Sequence, residues 1–391
     1  MSVTLFPTEL KSAILDYLLE DKSQLLHCRL ISKDFEILAT PCALRTLNIS
    51  RKKGCSAAFS SLPSDSSIFI HVKEINFRAL EKKHDGLEAD CIEETFSMFA
   101  HLANFPSLHT LRLYFPSEYE EGMYELYGED MSPVRILQIQ IFKTLAGLTF
   151  DRSFSLSELE IHGLLALPNE GLHISRLRSL LEPLSSLHIS LVTNDGEDFE
   201  MAGEDYTAFW DVDLTQLLAM TRNLTKLTVI SNTNSVGFFN KNWDTLDLPK
   251  LEYLRLKNFV FTNIAYYQQR FPWSGGGVEE FMLRHGRTIK DVDLSSCWVE
   301  IHDEDLHPRS WAMIWKNFEK GLTRLESFKF EPMPGRIRPS DFWPRFNGYV
   351  AFVIESGYVN FFDEDPVDVA LDGAAFESLQ RTIEGRNGLQ V

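Results

Sequence analysis

Cysteine is scarce in this chain of 391 residues, which contains only five. No two of them form a Cys-x-x-Cys pair, and four lie in the first quarter of the sequence. Disulfide-stapled domains and zinc knuckles need several closely spaced cysteines, so this distribution argues against both classes. We interpret the thiols as unpaired and reduced.

The sequence also lacks a long apolar run. No stretch approaches the roughly eighteen consecutive apolar residues of a membrane-spanning helix. Near the N-terminus, Glu9, Asp16 and Glu20 stand among the apolar residues, unlike the apolar segment of a secretory signal. We therefore expect a protein that is neither exported nor embedded in a membrane, and that resides in the cytoplasm or the nucleus.

Positive charge is in short supply. The chain has 38 lysine and arginine residues against 56 aspartate and glutamate residues, which gives a formal net charge of −18. The deficit lies after residue 53, where 30 basic residues stand against 50 acidic ones. Nucleic-acid binding needs a basic surface, so we expect no nucleic-acid partner. An acidic surface favours a basic partner, although solubility alone is the simpler explanation of the charge.

Motifs that carry catalysis or hold a cofactor are missing as well. The glycines at 275–277 lack the Lys-Ser/Thr of a P-loop, and no Gly-x-Ser-x-Gly elbow occurs. His109, His162 and His188 have no accompanying carboxylate pattern, so we assign no metal site. An enzyme would have to rely on the paired acids within 291–293, which we interpret as a solvated face. We expect no enzymatic activity and no cofactor.

The first 43 residues predict a small helical module. Thr8 can cap a helix whose apolar residues at 10, 14, 17 and 18 form one stripe. Ser23 and Ser32 can cap a second and a third helix, and we expect Pro41 to end the third. Three helices in about forty residues cannot bury all their apolar side chains on themselves. Part of this apolar surface should therefore remain available for another protein.

Two segments of this module resemble the F-box family. Phe6-Pro7-Thr8-Glu9-Leu10 stands where the family has Leu-Pro-x-Glu-Leu/Ile, and Arg29-Leu30-Ile31-Ser32-Lys33-Asp34-Phe35 stands where it has Arg-x-Val-Ser-Lys-x-Phe/Trp. The resemblance implies binding to a Skp1-like adaptor, which attaches a substrate-binding domain to a cullin-RING ubiquitin ligase. The alternative is a three-helix cap that only covers the following array. The resemblance assigns the adaptor contact to Phe6, Pro7, Leu10, Ile14, Leu18, Leu30 and Ser32.

The chain after this module carries an internal repeat. The pattern Leu-x-x-Leu-x-Leu, or its apolar equivalent, occurs nine times. Its last two apolar positions alternate with a polar one, as in a half-buried strand. A helical apolar pattern precedes most copies, for example at 137–148 and 311–318. The copies begin at Leu44, Val72, Leu108, Leu156, Leu184, Leu224, Leu251, Ile289 and Leu325.

Repeated helix-to-strand units bury their faces by stacking on one another. Residues 44–331 therefore predict an α/β fold, namely an irregular leucine-rich-repeat solenoid with parallel strands inside and helices outside. Only Asn258 and Cys297 hint at the Asn/Cys ladder of that class. The irregular spacing resembles fungal F-box proteins with degenerate leucine-rich repeats, and 281–294 looks typical of that group. The alternative is an ordinary mixed α/β domain with leucine-rich buried strands.

Polar positions beside the apolar strand residues predict an inner surface for a protein target. Insertions rich in acidic and aromatic residues, at 114–130, 194–213 and 262–277, are further candidates for contacting a basic peptide, although solvated loops are the simpler interpretation of at least two. Residues 332–391 depart from the repeat and predict a C-terminal cap and tail, with the last dozen residues disordered. The predicted target-binding surface is Arg112, Glu158, Glu160, His188, Lys226, Tyr253, Arg255, Lys257, Asp291 and Asp293.

The sequence thus predicts a substrate-recognition adaptor of a Skp1-cullin-F-box ubiquitin ligase. In this interpretation the N-terminal helices bind the Skp1-like adaptor, and the repeat array binds a protein target. The alternative is a repeat-protein scaffold for protein–protein interaction outside ubiquitin ligases.

Overall fold

A computed structural model gives the architecture of the chain. The three acidic insertions fall mostly outside the residues that the structure describes, so those predictions stay untested. The described residues are 6–19, 21–50, 69–79, 98–116, 132–149, 154, 156–192, 208–231, 237, 241–261, 277–300, 309–331, 348–353, 357–360 and 369–388.

Three helices open the described part of the chain: α1 Thr8–Tyr17, α2 Lys22–Cys28 and α3 Lys33–Leu44. Ser32 caps α3 as predicted, because its hydroxyl accepts a hydrogen bond from the Phe35 N–H at 3.3 Å. The helices enclose a small apolar core separate from that of the sheet. Its buried residues are Leu15, Leu25, Cys28, Phe35, Ala39 and Ala43.

The other two predicted caps are wrong. Thr8 is already inside α1, and Pro7 precedes the helix without a side-chain cap. The Asp21 carboxylate, not Ser23, caps α2 by accepting a hydrogen bond from the Gln24 N–H at 3.0 Å. A carboxylate at this position also interacts favourably with the positive end of the helix dipole.

The third helix runs further than predicted, because Pro41 lies inside α3 and does not end it. A proline at this position removes one backbone donor, which would have bonded to the carbonyl of Ile37. Ile37 is exposed, so water can reach that carbonyl. The helix therefore continues to Leu44, and Arg45 alone separates it from the first strand.

The nine copies of the repeat each supply one strand of a parallel sheet, in which the strands lie side by side in chain order, β1-β2-β3-β4-β5-β6-β7-β9-β11. Corresponding positions pair along the sheet, so that Leu111 neighbours Leu159 and Leu159 neighbours Leu187. The described strands are β1 Thr46–Ser50, β2 Glu74–Arg78, β3 Thr110–Tyr114, β4 Glu158–Leu165, β5 Ser186–Val192, β6 Lys226–Ile230, β7 Tyr253–Lys257, β8 Val260–Phe261, β9 Asp291–Ser295, β10 Trp298–Glu300, β11 Ser327–Glu331, β12 Tyr349–Val353 and β13 Gly357–Asn360.

One face of this main sheet is apolar and covered by helices. In β3, for example, Leu111 and Leu113 are buried and Arg112 between them reaches the other face, because strand side chains alternate. Strand and helix side chains share one continuous core. Each fully buried leucine there contributes about 1.5–3 kcal/mol. The helices are α4 Pro133–Gly147, α5 Arg178–Leu181, α6 Leu214–Ala219, α7 Val278–Arg284 and α8 Trp311–Gly321.

A second sheet has the strand order β13-β12-β10-β8. The chain leaves the main sheet for it through Asn258 and Ser296, whose φ angles of 59° and 51° are left-handed. The Asn258 amide donates to the Ser231 carbonyl at 2.7 Å, and the Cys297 thiol to the Leu256 carbonyl at 3.8 Å. The two residues that hinted at a ladder therefore each connect neighbouring segments at the ends of the strands.

The last described helix, α9 Val369–Gly388, packs on α8. Ala375, Leu379 and Ile383 are buried at every fourth position and form one stripe that docks on the core. The prediction of a disordered tail is wrong for residues 380–388, which are helical for this reason. Neither α9 nor any other described helix is long and apolar enough to cross a membrane.

Candidate functional site

Helix α1 turns its more apolar side away from the other helices of the described module. Phe6, Leu10 and Ile14 are 46%, 51% and 43% exposed, and Tyr17 is 89% exposed. These side chains surround an open groove with a volume of about 370 Å³, called here the apolar groove. Apolar surface gathered in one place indicates an interaction site more strongly than scattered exposed residues do. Its lining residues are Phe6, Leu10, Ala13, Ile14, Tyr17 and Leu18.

The opposite side of α1 faces the other two helices. Lys11 and Leu15 are buried there, and Leu18 packs against the same small core while also lining the groove. The stripe predicted at 10, 14, 17 and 18 does lie on one side of the helix, but only its last member reaches the core. The described part of the module therefore folds around other residues, and none of its side chains fills the groove.

A charged pair lies within the module. The Lys11 ammonium is 2.5 Å from an Asp34 carboxylate oxygen, and it lies 6.0 Å from the centre of the Phe35 ring. Lys11 is only 2% exposed, whereas Asp34 is exposed. Lysine is almost never fully buried without a partner, and the Asp34 carboxylate provides the countercharge that the buried Lys11 ammonium needs.

Further apolar residues are exposed after α2. Leu30, which the resemblance assigns to adaptor binding, is 83% exposed, and its neighbour Ile31 is also exposed. Ser32, which the resemblance also assigns to adaptor binding, differs from Leu30 because its hydroxyl already caps α3. Tyr17 was not among the assigned residues, although its place in the predicted stripe was a signal that it belongs to the groove.

The polar face of the main sheet is the second candidate surface. On β2 to β4 the Arg112 guanidinium lies 2.8 Å from Glu160 and 3.2 Å from Glu74, and Thr110 donates to Glu158 at 3.1 Å. The hydrogen bond from His162, and then the one from Arg112, lower the pKa of Glu160 to about 2. Glu160 is therefore ionised at neutral pH and paired with Arg112.

Rings on neighbouring strands stack beside this network. The Arg78 guanidinium lies 5.2 Å from the centre of the Tyr114 ring, and Tyr114 stacks on His162 with ring centres 4.6 Å apart. His162 and His188 are also 4.6 Å apart. Burial, and then the charge of His162, lower the pKa of His188 to about 4, so this imidazole is neutral at physiological pH. These side chains form a row from β2 to β5 that is aromatic and carries the positive charge of Arg78.

The polar face carries charges of both signs beyond β5. The Lys226 ammonium lies 5.2 Å from the Tyr253 ring centre, and Arg255 lies 3.3 Å from Asp293. Burial, and then the Asp293 carboxylate, raise the pKa of Tyr253. Thr228, on the strand between His188 and Arg255, is buried although it faces the polar side. The larger side chains of His188 and Arg255 therefore cover Thr228.

All ten predicted target-binding residues lie on this polar face, from β3 to β9. The sequence prediction did not select Arg78, Tyr114 or His162, although they hold equivalent strand positions, because the stack depends on how neighbouring strands pair. Within the described ranges, no group of three or more His, Cys, Asp or Glu residues could hold a metal ion.

No protein-family model matches the chain, and neither does any curated protein. Among solved structures, the chain is similar to one in the crystal structure of the Rad7 and Elc1 complex in yeast. The two are 13% identical with a TM-score of 0.26, and the similarity covers 88% of this chain and 92% of that chain.

Proposed function

We propose that the chain is a substrate-recognition adaptor of a Skp1-cullin-F-box ubiquitin ligase, whose first three helices form an F-box and bind a Skp1-like adaptor. The apolar groove on α1 carries the proposal. Its lining residues other than Leu18 are exposed although the module has a core of its own, so they are available to a partner. Burying Leu10 and Ile14 against an adaptor would contribute about 1.5–3 kcal/mol for each side chain.

In this proposal the main sheet is a leucine-rich-repeat solenoid that presents the target for ubiquitin transfer by other subunits. Support comes from the nine strands that lie in chain order with the register of the repeat. The polar face offers charges of both signs and a row of stacked rings, which suits a protein surface. No catalytic residue of this chain is needed.

The alternative scaffold function has an observation in its favour. The Arg45 carbonyl, between α3 and β1, accepts hydrogen bonds from Lys73 and Glu74 at 2.8 and 3.0 Å. The Lys22 ammonium donates to the Thr46 carbonyl of β1 at 3.0 Å. The three helices are thus joined to the first strands, as a cap of the sheet would be. A cap does not require the apolar groove, however, and the groove therefore distinguishes the two functions.

Binding of a purified Skp1-like adaptor tests the proposal. We expect the Leu10→Ala/Ile14→Ala double variant to bind at least about 100-fold more weakly than the wild type, because two buried apolar contacts are lost. The matched control is Met313→Ala/Leu371→Ala, which removes two comparably exposed apolar side chains from α8 and α9, neither of which lines the groove. Equal binding by the wild type and the groove variant, or no adaptor binding by the wild type, would favour the scaffold.

A further inference from the structure

The charged pair inside the N-terminal module is the starting point. Among the described residues, Lys11 is the one lysine or arginine that is buried. It comes from α1 and Asp34 from the first turn of α3, 23 residues later in the chain. The pair thus fixes one side of α1 against a defined point of another helix.

The two sides of α1 differ in a way that hydrophobic burial does not explain. The outward side carries Leu10, Ile14 and Tyr17, and the inward side carries Lys11, Leu15 and Leu18. A rotation of α1 by about 100°, which is one residue of an α-helix, would bring the outward three residues to the places of the inward three. Burial of apolar area alone favours the rotated arrangement. Something else must therefore favour the observed one.

The Asp34 carboxylate can favour the observed rotation of α1, which the apolar residues do not. A buried ammonium is strongly unfavourable without a countercharge and tolerable with one, and a polar group at a single core position can fix helix register at some cost in stability. We propose that Asp34 is a positioning residue that acts through Lys11: the pair holds α1 in the rotation that presents Leu10 and Ile14 outward. What binds at the groove rests on the proposed function, but the rotation itself does not.

Thiol labelling of full-length chains measures the rotation without any adaptor. Ile14→Cys and Leu15→Cys are introduced separately, and mass spectrometry distinguishes each from the native thiols. With the pair intact, position 14 should react much faster than position 15. In the Asp34→Ala background we expect the order to reverse, because an unpaired Lys11 leaves the core. Glu36→Ala, which removes an exposed carboxylate from the same helix, is the matched control and should keep the native order.

A rescue separates positioning from simple stabilisation. Lys11→Met in the Asp34→Ala background replaces the pair by an apolar residue of similar length, which often preserves stability. We expect this double variant to recover the native labelling order. An unchanged order in Asp34→Ala would overturn the proposal. So would fast labelling of position 14, position 15 and Cys28 together, since that would mean the pair only keeps the module folded.

Adaptor binding extends the test to the proposed function. Asp34→Ala should bind the Skp1-like adaptor weakly, and Lys11→Met/Asp34→Ala should bind it like the wild type. If the double variant keeps the native labelling order but binds as weakly as Asp34→Ala, Asp34 contacts the adaptor itself, and the claim that the rotation presents the groove to the adaptor is wrong. If the wild type does not bind the adaptor, the proposed function fails while the labelling result stands.

Discussion

The two helical ends of the main sheet use apolar residues in opposite ways. At the C-terminal end, α9 buries its one apolar stripe, and its polar side chains complete the contact: Gln380 donates to the Phe328 carbonyl at 2.9 Å and Asn387 to the Glu326 carbonyl at 2.9 Å. At the N-terminal end, α1 keeps Leu10 and Ile14 outside. Within the described residues, the chain itself covers the apolar stripe at the C-terminal end, whereas the apolar side of α1 is exposed.

The difference shows that exposed apolar surface is not an unavoidable result of ending this sheet. Because a single docked helix closes one end of the sheet, closing the other end does not require an exposed apolar groove. The groove therefore calls for an explanation beyond capping, and a partner protein supplies one.

The largest effect should come from the docked end. Leu379 in α9 is fully buried, so Leu379→Ala should lower the free energy of unfolding by about 2–5 kcal/mol. Leu10→Ala should change it by no more than about 0.5 kcal/mol, because the side chain is exposed. Chemical denaturation measures both. Similar losses for the two variants would abolish the contrast between the ends.

A smaller effect should follow from the polar contact that anchors α9. Asp372 accepts hydrogen bonds from the Ala312 N–H at 2.7 Å and from the Tyr349 hydroxyl at 2.5 Å. Asp372→Ala leaves both donors buried without this acceptor, and we expect a loss of about 1–3 kcal/mol in urea unfolding. Asp16→Ala, on the exposed side of α1, is the control and should be nearly neutral. A neutral Asp372→Ala would mean that this carboxylate does not help to hold α9.

At the N-terminal end, Ser32 should act as a cap. Ser32→Ala should destabilise the module by about 1 kcal/mol, and Ser32→Asp, another good cap, should not. Hydrogen exchange of α3 amides measures this local stability. Adaptor affinity should follow the same order. Normal stability with lost binding in Ser32→Asp would instead make Ser32 a direct contact.

The smallest effect concerns the sheet between the ends. His188 has a pKa lowered to about 4, against about 6.5 in an unfolded chain. The stability that its neutral form contributes is present above about pH 6.5 and is lost as the pH falls through about 4. His188→Gln should therefore make the unfolding free energy depend less on pH across this window. The exposed His109→Gln control should match the wild type. An identical slope for His188→Gln would show that the imidazole titrates normally.

Much of the main sheet could be predicted from the sequence, because strand side chains alternate and one face must be buried. Leu111 and Leu113 mark β3 in this way, and the equivalent residues of the next copy fix its register. The second sheet was not predicted. Its strand β8 has two residues, both buried, so no alternation exists there to detect. The routing into it depends on left-handed backbone at Asn258 and Ser296, which a repeat pattern does not encode.

The groove was predictable in part of its membership, since four of the seven assigned residues line it, but not in orientation. Leu10 and Ile14 could be placed on one side of a helix by their spacing alone. Spacing does not say which side of an amphipathic helix meets its neighbours, and Lys11 on the inward side is the reverse of what polarity suggests. Asp34, which pairs with Lys11, lies on another helix, so a tertiary contact determines which side of α1 faces inward.

The single residue between α3 and β1 limits how the three opening helices can swing. Arg45 alone joins the helix to the strand, and its carbonyl is bonded to the Lys73 and Glu74 amides. A protein bound to the opening helices would therefore be held at a nearly fixed angle to the edge of the sheet.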